Sequence, residues 1–184
     1  QRAVDTAHDG DTIHVGAGPY SGTATTAADN LTVTAPAGAT GLALVLGTGV
    51  HNITLLDASN IDVTGNGLAN IINGNSGNNT LTGGLGNDTI NGGAGNDLIQ
   101  YTVGDGVDTI NGGADTDTLA VSGTGGNDTI HVAVNGSGVI TSIEGMSPTN
   151  VESVTVNGAG GGDTLDYTGT TSAVTVNLGT PSAT

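Results

Sequence analysis

Residues 83–100 read GGLGNDTINGGAGNDLIQ, a nine-residue phrase stated twice. Gly83-Gly84-Leu85-Gly86-Asn87-Asp88-Thr89-Ile90-Asn91 runs directly into Gly92-Gly93-Ala94-Gly95-Asn96-Asp97-Leu98-Ile99-Gln100. Both copies carry glycine at positions one, two and four, aspartate at six and isoleucine at eight. The first six residues suit a tight turn, because glycine adopts positive φ without a steric penalty. The last three suit a short strand whose central apolar side chain points inward while its neighbours point outward. Turn and three-residue strand alternating at fixed spacing predict a coil that stacks parallel strands across two faces.

The phrase continues on both sides. Residues 65–73 (GNGLANIIN) and 74–82 (GNSGNNTLT) keep the frame with Asn70 and Asn79 at position six. Tyr101-Thr102 is a two-residue insertion, after which 103–111 (VGDGVDTIN) restores the frame with Asp108. Residues 112–120 (GGADTDTLA) follow, with Asp117 at position six and Asp115 in place of the third glycine. Degenerate copies lie at 123–131, with Asp128, and at 158–166, with Asp163.

Upstream, apolar runs at 31–33, 42–46, 53–56 and 61–63 arrive at a shrinking interval and lead into Ile72, Leu81, Ile90 and Ile99, nine apart. The spacing settles rather than breaks, which predicts a right-handed parallel β-helix passing straight into the repeat region. Residues 1–22 read as the opening coil: a short helical cap over 1–7, a turn at Asp9-Gly10-Asp11, a strand over 12–15 and a turn over 16–18 before Pro19-Tyr20. Such a cap covers an otherwise unpaired strand edge. Downstream, residues 129–134, Asn135-Gly136-Ser137-Gly138 and 139–143 read as strand, turn and strand, the hairpin signature of Asn-Gly between alternating apolar residues. Further strands are expected at 151–156 and 174–176, with Leu165 between them. The expected division is 1–64 β-helix with cap, 65–131 repeat region and 132–184 β-rich extension.

Composition narrows the partners. Seventeen acidic residues face a single basic one, Arg2, for a net charge of −16. Nothing offsets phosphate, so nucleic acid and anionic membrane surfaces are excluded as partners. Thirty-four glycines with no Phe and no Trp argue against a bulky globular core, leaving thin stacked layers of Ile, Val and Leu. There is no cysteine. A small domain without disulfides needs another staple, and a metal is the natural one. No apolar run approaches membrane-spanning length. The chain opens on Gln1 and stops in GTPSAT, and is read as a piece of a longer polypeptide.

Stacked acidic turns surround gaps with carboxylate and carbonyl oxygen. Such cages suit Ca²⁺, whereas Mg²⁺ demands a stricter octahedron and zinc wants His or Cys. The two central copies match GGxGxDxUx at every defined position, and residues 65–131 resemble the RTX family of secreted calcium-binding proteins; 158–166 resemble it weakly. Successive repeats fall on opposite edges, so repeat n stacks on n+2 and pairs Asn70 with Asp88, Asn79 with Asp97, Asp88 with Asp108, Asp97 with Asp117, and Asp108 with Asp128. The resemblance implies that each pair supplies carboxylate oxygen to one calcium ion. Turn carbonyls such as those of Gly83, Leu85, Asn87, Gly92, Ala94 and Asn96 would complete the shell. Asn-containing pairs lose a formal charge and bind more weakly, while Asp105 and Asp115 either add a ligand or are solvated. The alternative for any single copy is an ordinary Asx-turn.

Other prominent residues carry less. His8, His14, His51 and His131 lack paired metal-ligand spacing and read as surface histidines. The six Asn-x-Ser/Thr sequons, at Asn30, Asn52, Asn78, Asn87, Asn127 and Asn135, follow from an Asn- and Thr-rich composition. Tyr20, Tyr101 and Tyr167 are too scattered for a sugar-binding platform and suit packing or loop anchoring.

Two functions fit. One is an extracellular calcium-binding structural module of a secreted or cell-surface protein, exported by type I secretion and capable of self-association. The other is the non-catalytic appendage of a polysaccharide-modifying enzyme, since β-helices followed by RTX rolls resemble alginate epimerases and secreted lyases. The chain has no Lys and one Arg, so the cation that neutralises a uronate carboxylate is missing, and no catalytic constellation is visible.

Overall fold

The computed structural model describes residues 12–14, 21–24, 29–35, 42–135 and 139–167. In chain order the strands are β1 (Thr12–His14), β2 (Ser21–Ala24), β3 (Asn30–Thr34), β4 (Leu42–Leu46), β5 (Asn52–Leu56), β6 (Ile61–Thr64), β7 (Ile71–Asn73) and β8 (Thr80–Thr82). They continue as β9 (Thr89–Ala94), β10 (Leu98–Thr102), β11 (Thr109–Ala114), β12 (Thr118–Ser122), β13 (Thr129–Val134), β14 (Ile140–Ile143), β15 (Ser153–Asn157) and β16 (Thr164–Asp166). No helix occurs among the described residues.

Through β12, odd and even strands part into two parallel sheets. One runs β1-β3-β5-β7-β9-β11, the other β15-β12-β10-β8-β6-β4-β2. The chain is therefore a parallel β-solenoid, two strands to a coil, and both sheets pass from the plain β-helix into the repeats without a break. In register, Ile53 stacks on Ile72, Ile90 and Ile110 in one sheet, and Val63 on Leu81, Ile99 and Leu119 in the other. Coil length shortens from 22 residues (Asn30 to Asn52) to 19 (Thr54 to Asn73) and 18 (Asn73 to Asn91). It lengthens to 20 (Asp88 to Asp108), where Tyr101-Thr102 is inserted. Those two residues are absorbed by lengthening β10, and the Tyr101 hydroxyl donates to Gly106 O at 2.9 Å, anchoring the turn.

The core is one side chain wide from each sheet. Ile72, Leu81, Ile90, Ile99, Ile110 and Leu119, all at position eight, are at most 2% exposed. Each buried aliphatic side chain contributes about 1.5–3 kcal/mol, which lets so thin a stack persist without aromatics. The strands of β9 and β11 run on past position nine into Gly92-Gly93-Ala94 and Gly112-Gly113-Ala114, longer than the three residues expected.

The hairpin is present: β13 and β14 pair antiparallel, although residues 136–138 of its turn lie outside the described set. Its consequence for the stack differs from expectation. β13 does not join β11; it forms a third sheet, β14-β13-β16. The space over β11 is taken by residues returning from the hairpin. Thr149 bridges Asn111 and donates from its N–H to Ile110 O, while Ile143 and Met146 are 0% and 1% exposed. With Thr149 on β11, Asp128 does not stack on Asp108. β15 then resumes the even sheet on β12, and β16 lies on β13, with coil spacing of 35 residues (Asp128 to Asp163). The expected cap at 1–7, the turns at 9–11 and 16–18 and the strand at 174–176 fall outside the described residues.

Candidate metal centre

Position six forms a buried column along each edge of the solenoid. The main-chain N–H of each member donates to the side chain of the member one coil ahead. Asn70 donates to Asp88 Oδ1 (2.7 Å) and Asp88 to Asp108 Oδ1 (2.9 Å) on one edge. Asn79 donates to Asp97 Oδ1 (2.8 Å) and Asp97 to Asp117 Oδ1 (2.8 Å) on the other. All six residues are buried, Asp117 at 0% exposure and Asp108 at 5%. Four of the five expected pairings are thus brought together. The fifth, Asp108 with Asp128, is not formed: Asp128 donates its N–H to Asp163 Oδ1 at 3.1 Å in the separate third sheet.

One oxygen of each carboxylate in the columns holds the coil behind in register, and the residue at position two bears on the other. In the repeats with Asn66, Asn75 and Thr124 at position two, that residue's N–H donates to the position-six side chain of the same repeat, Asn70, Asn79 or Asp128. In the repeats of Asp88, Asp97 and Asp117, position two is Gly84, Gly93 or Gly113 at φ 91°, 111° and 118°, and no such bond is made. Oδ2 of Asp88, Asp97 and Asp117 is left buried without a hydrogen-bond partner. Buried carboxylate oxygens are almost always satisfied in folded proteins, so three in equivalent places mark a missing cationic partner.

Position-one glycines shape the rest of the cradle. A Cβ on Gly92 would run into Gly112 O and Asp97 Oδ2, and one on Gly112 into Asn150 O and Asp117 Oδ2. On Gly83 it would meet Asp88 Oδ2. Carbonyl oxygen from one coil and carboxylate oxygen from its neighbour therefore converge where only glycine leaves room. The donors are all oxygen, and their arrangement fits a hard divalent cation needing six to eight ligands. No three His, Cys, Asp or Glu side chains converge among the described residues, so the cradle relies on main-chain carbonyls, unlike a zinc site.

The electrostatics agree. Burial raises the Asp88 and Asp97 carboxyls from 3.8 to about 6, against the opposing N–H of Asn70 and Asn79; Asp108 and Asp105 push Asp88 further up, and Asp117 does so for Asp97. Asp108 and Asp117 are raised as well, by burial first, then by Asp105 for the former and by Glu152 and Asp115 for the latter. A cation in the cradle would offset the burial in each case by favouring the charged carboxylate.

The remaining expected residues have definite places. Asn70 turns its Nδ2 to Val50 O and His51 O of the coil behind (3.0 and 3.1 Å), while its Oδ1, in the place of Asp88 Oδ2, accepts the Asn66 N–H. Asn79 Nδ2 is unpartnered. Asn87 and Asn96 Oδ1 accept the N–H of Val107 and Thr116 at 3.0 Å, an asparagine ladder outside the column that the repeat pattern did not announce. Asp105 Oδ2 accepts from Thr102 N and Asp115 Oδ2 from Gly95 N, so one oxygen of each side chain holds a main-chain amide. Leu85 is 59% exposed, and the Ala94 N–H donates to Asn75 O. His14 bonds Thr34, His51 bonds Asp29, and His131 lies by Glu144 and Asp166, all exposed; His8 and Tyr20 lie outside the described residues. Two residues escaped sequence reasoning, Asn150 and Glu152, because they belong to no repeat; only strand register places them. Glu152 Oε2 accepts the N–H of Asp117 at 2.8 Å.

Residues 64–99 and 102–119 match the family model of the RTX calcium-binding nonapeptide repeat, in four copies. No curated protein and no solved structure matches the chain.

Proposed function

We propose, from the premise that residues 64–119 are RTX calcium-binding repeats folded as a β-roll, that this chain is an extracellular, calcium-stabilised structural module of a larger secreted or surface protein. The observation that carries it is the row of buried, partnerless Oδ2 atoms on Asp88, Asp97 and Asp117. The Asp88–Asp108 and Asp97–Asp117 pairs hold the stronger sites, with position-one and turn carbonyls such as those of Gly83, Leu85, Gly92 and Ala94 completing them. The Asn70 and Asn79 ends are weaker, because amide groups replace carboxylates. Calcium, when bound, neutralises the paired carboxylates.

RTX repeats are typical of type I secreted extracellular proteins, and no helix among the described residues is long and apolar enough to cross a membrane. In calcium-poor cytosol a chain of charge −16 repels itself and stays extended. Outside the cell, metal binding supplies folding free energy and the coil condenses. The passage of the plain β-helix into the roll without interruption also suits an appendage that extends a β-helical enzyme; the scaffold role is preferred because no cationic residue but Arg2 is available to handle an anionic substrate.

Circular dichroism during calcium titration and chelation tests the reading. β-structure that forms with calcium and is lost on its removal is the expected result. Unchanged β-structure after complete removal defeats the folding-switch role.

A further inference from the structure

We propose that the even column ends in a calcium site completed by Asn150 and Glu152, two residues outside every nonapeptide repeat. The proposal rests on the β-roll reading above and extends it to a site that the repeat pattern does not contain.

Inside this column each coil takes two oxygens from the coil ahead. At Asp97 they are the position-one carbonyl, Gly112 O, and the position-six carboxylate, Asp117 Oδ1. No nonapeptide repeat follows on top of Asp117; the strand paired with β12 is β15. Both oxygens are present nonetheless. Asn150 O stands where Gly112 O stands one coil earlier, crowding the place of a Cβ on Gly112 together with Asp117 Oδ2, which is 2.6 Å from it. Glu152 Oε2 accepts the Asp117 N–H as Asp117 Oδ1 accepts that of Asp97.

Register makes the equivalence positional. Thr118 pairs with Ser153, which puts Glu152 opposite Asp117 at position six. The Gly112 N–H donates to Thr149 O (3.0 Å), as the Gly74 N–H does to Asn91 O (2.8 Å), which puts Thr149 at position nine and Asn150 at position one. Residues 149–152 are thus a truncated coil: Val151 alone spans what positions two to five span elsewhere. A glutamate in place of aspartate, one methylene longer, suits the shortened turn. Asn150 is held at φ 50° with its Nδ2 on Asn111 Oδ1 at 2.8 Å, which fixes its carbonyl. Into this cradle points Asp117 Oδ2, fully buried and without a partner. Oxygen-only donors with two carboxylates call for a divalent cation of the calcium type. The ion at this end therefore ties the roll to the segment that follows the hairpin.

The test is calcium stoichiometry on the whole chain, by equilibrium dialysis or titration calorimetry, with far-ultraviolet circular dichroism in saturating calcium. Glu152→Gln keeps an oxygen to accept the Asp117 N–H and removes the charge. It is expected to bind one ion fewer than the parent, or that ion at least tenfold more weakly, with the calcium-saturated spectrum unchanged. Asp29→Asn, an exposed carboxylate on the other edge and outside the even column, is expected to keep the parental count. An unchanged count and affinity in Glu152→Gln overturns the proposal, and so does loss of the whole spectrum, which makes Glu152 a general fold determinant rather than a ligand of one site. A parent chain that binds no calcium defeats the β-roll reading itself, and the terminal site with it.

Discussion

The main-chain N–H of Asp97 donates to Oδ1 of Asp117, twenty residues ahead, at 2.8 Å, while Oδ2 of both carboxylates is buried with no partner. A single side chain thus fixes the register of two coils with one oxygen and reserves the other. A hydrogen bond of the first kind contributes about 0.5–1.5 kcal/mol, whereas a buried acceptor left unmade costs about 1–3 kcal/mol. In the absence of a cation the second effect outweighs the first at each ionised carboxylate, so metal occupancy adds to stability.

Asp97→Asn separates the two oxygens. The amide still accepts the Asn79 N–H through its oxygen but presents a donor or a neutral atom to the cradle. Calcium affinity at that site is expected to fall at least tenfold, about 1.4 kcal/mol. The metal-free chain is expected to be no less stable than the parent, since a buried charge is gone. Calorimetric titration and thermal melts in chelator check both. Asp62→Asn, at an exposed carboxylate outside the column, should shift stability by no more than about 0.5 kcal/mol.

Protons and metal compete for the same oxygens. Asp88 and Asp97 are raised to about 6 from 3.8, so folding without metal takes up protons between these values. The metal-free fold is expected to be most stable below about pH 4 and to lose that contribution as pH rises through 6. Calcium affinity runs the other way, weakening as pH falls through 6. Melting curves in chelator and in calcium across pH 4–8 should show opposite slopes; parallel slopes refute the raised carboxyls.

Gly92→Ala is expected to damage the metal-bound state, because its Cβ collides with Gly112 O and Asp97 Oδ2. Overpacking of this kind costs about 1–3 kcal/mol. Gly67→Ala is the matched control: nothing lies within 4 Å of its Cβ and its φ is not positive. It should be neutral, or stabilising by up to about 1 kcal/mol through the unfolded chain. Denaturant midpoints in saturating calcium compare the pair.

Ile90→Ala empties a layer of the core where the side chain is 1% exposed, and is expected to cost about 2–5 kcal/mol. Ile71→Ala, one coil back on the outer face and 43% exposed, should cost far less. Urea unfolding in calcium measures the contrast.

Periodicity made the coil legible. Isoleucine or leucine every nine residues, with glycine and aspartate in fixed places between, dictates both the alternation of sheets and the n to n+2 stacking that joins Asp88 to Asp108. The repeats lose that legibility where register and sequence part company. Asp128 sits in a perfect copy of GNDTI, yet it lies in another sheet with the hairpin, and Thr149 rather than β13 meets β11 at Asn111. Conversely Glu152 has no motif around it and still reaches position six, since strand pairing and not local sequence places it. The role of position two was also hidden: glycine there reads as a turn residue, and only hydrogen bonding reveals that Asn66 or Thr124 in its place satisfies the carboxamide or carboxylate that Gly84 and Gly93 leave free.

The alternation of odd and even strands imposes a parity on this architecture. An insertion of nine residues, however faithful to the pattern, transfers every later strand to the opposite sheet and sends the closing segment at 149–152 to the wrong edge. An insertion of eighteen adds one full coil and leaves both ends seated as before. Growth by duplication is therefore tolerated in doublets, and odd-numbered gains or losses of the unit are the indels that this molecule cannot accommodate.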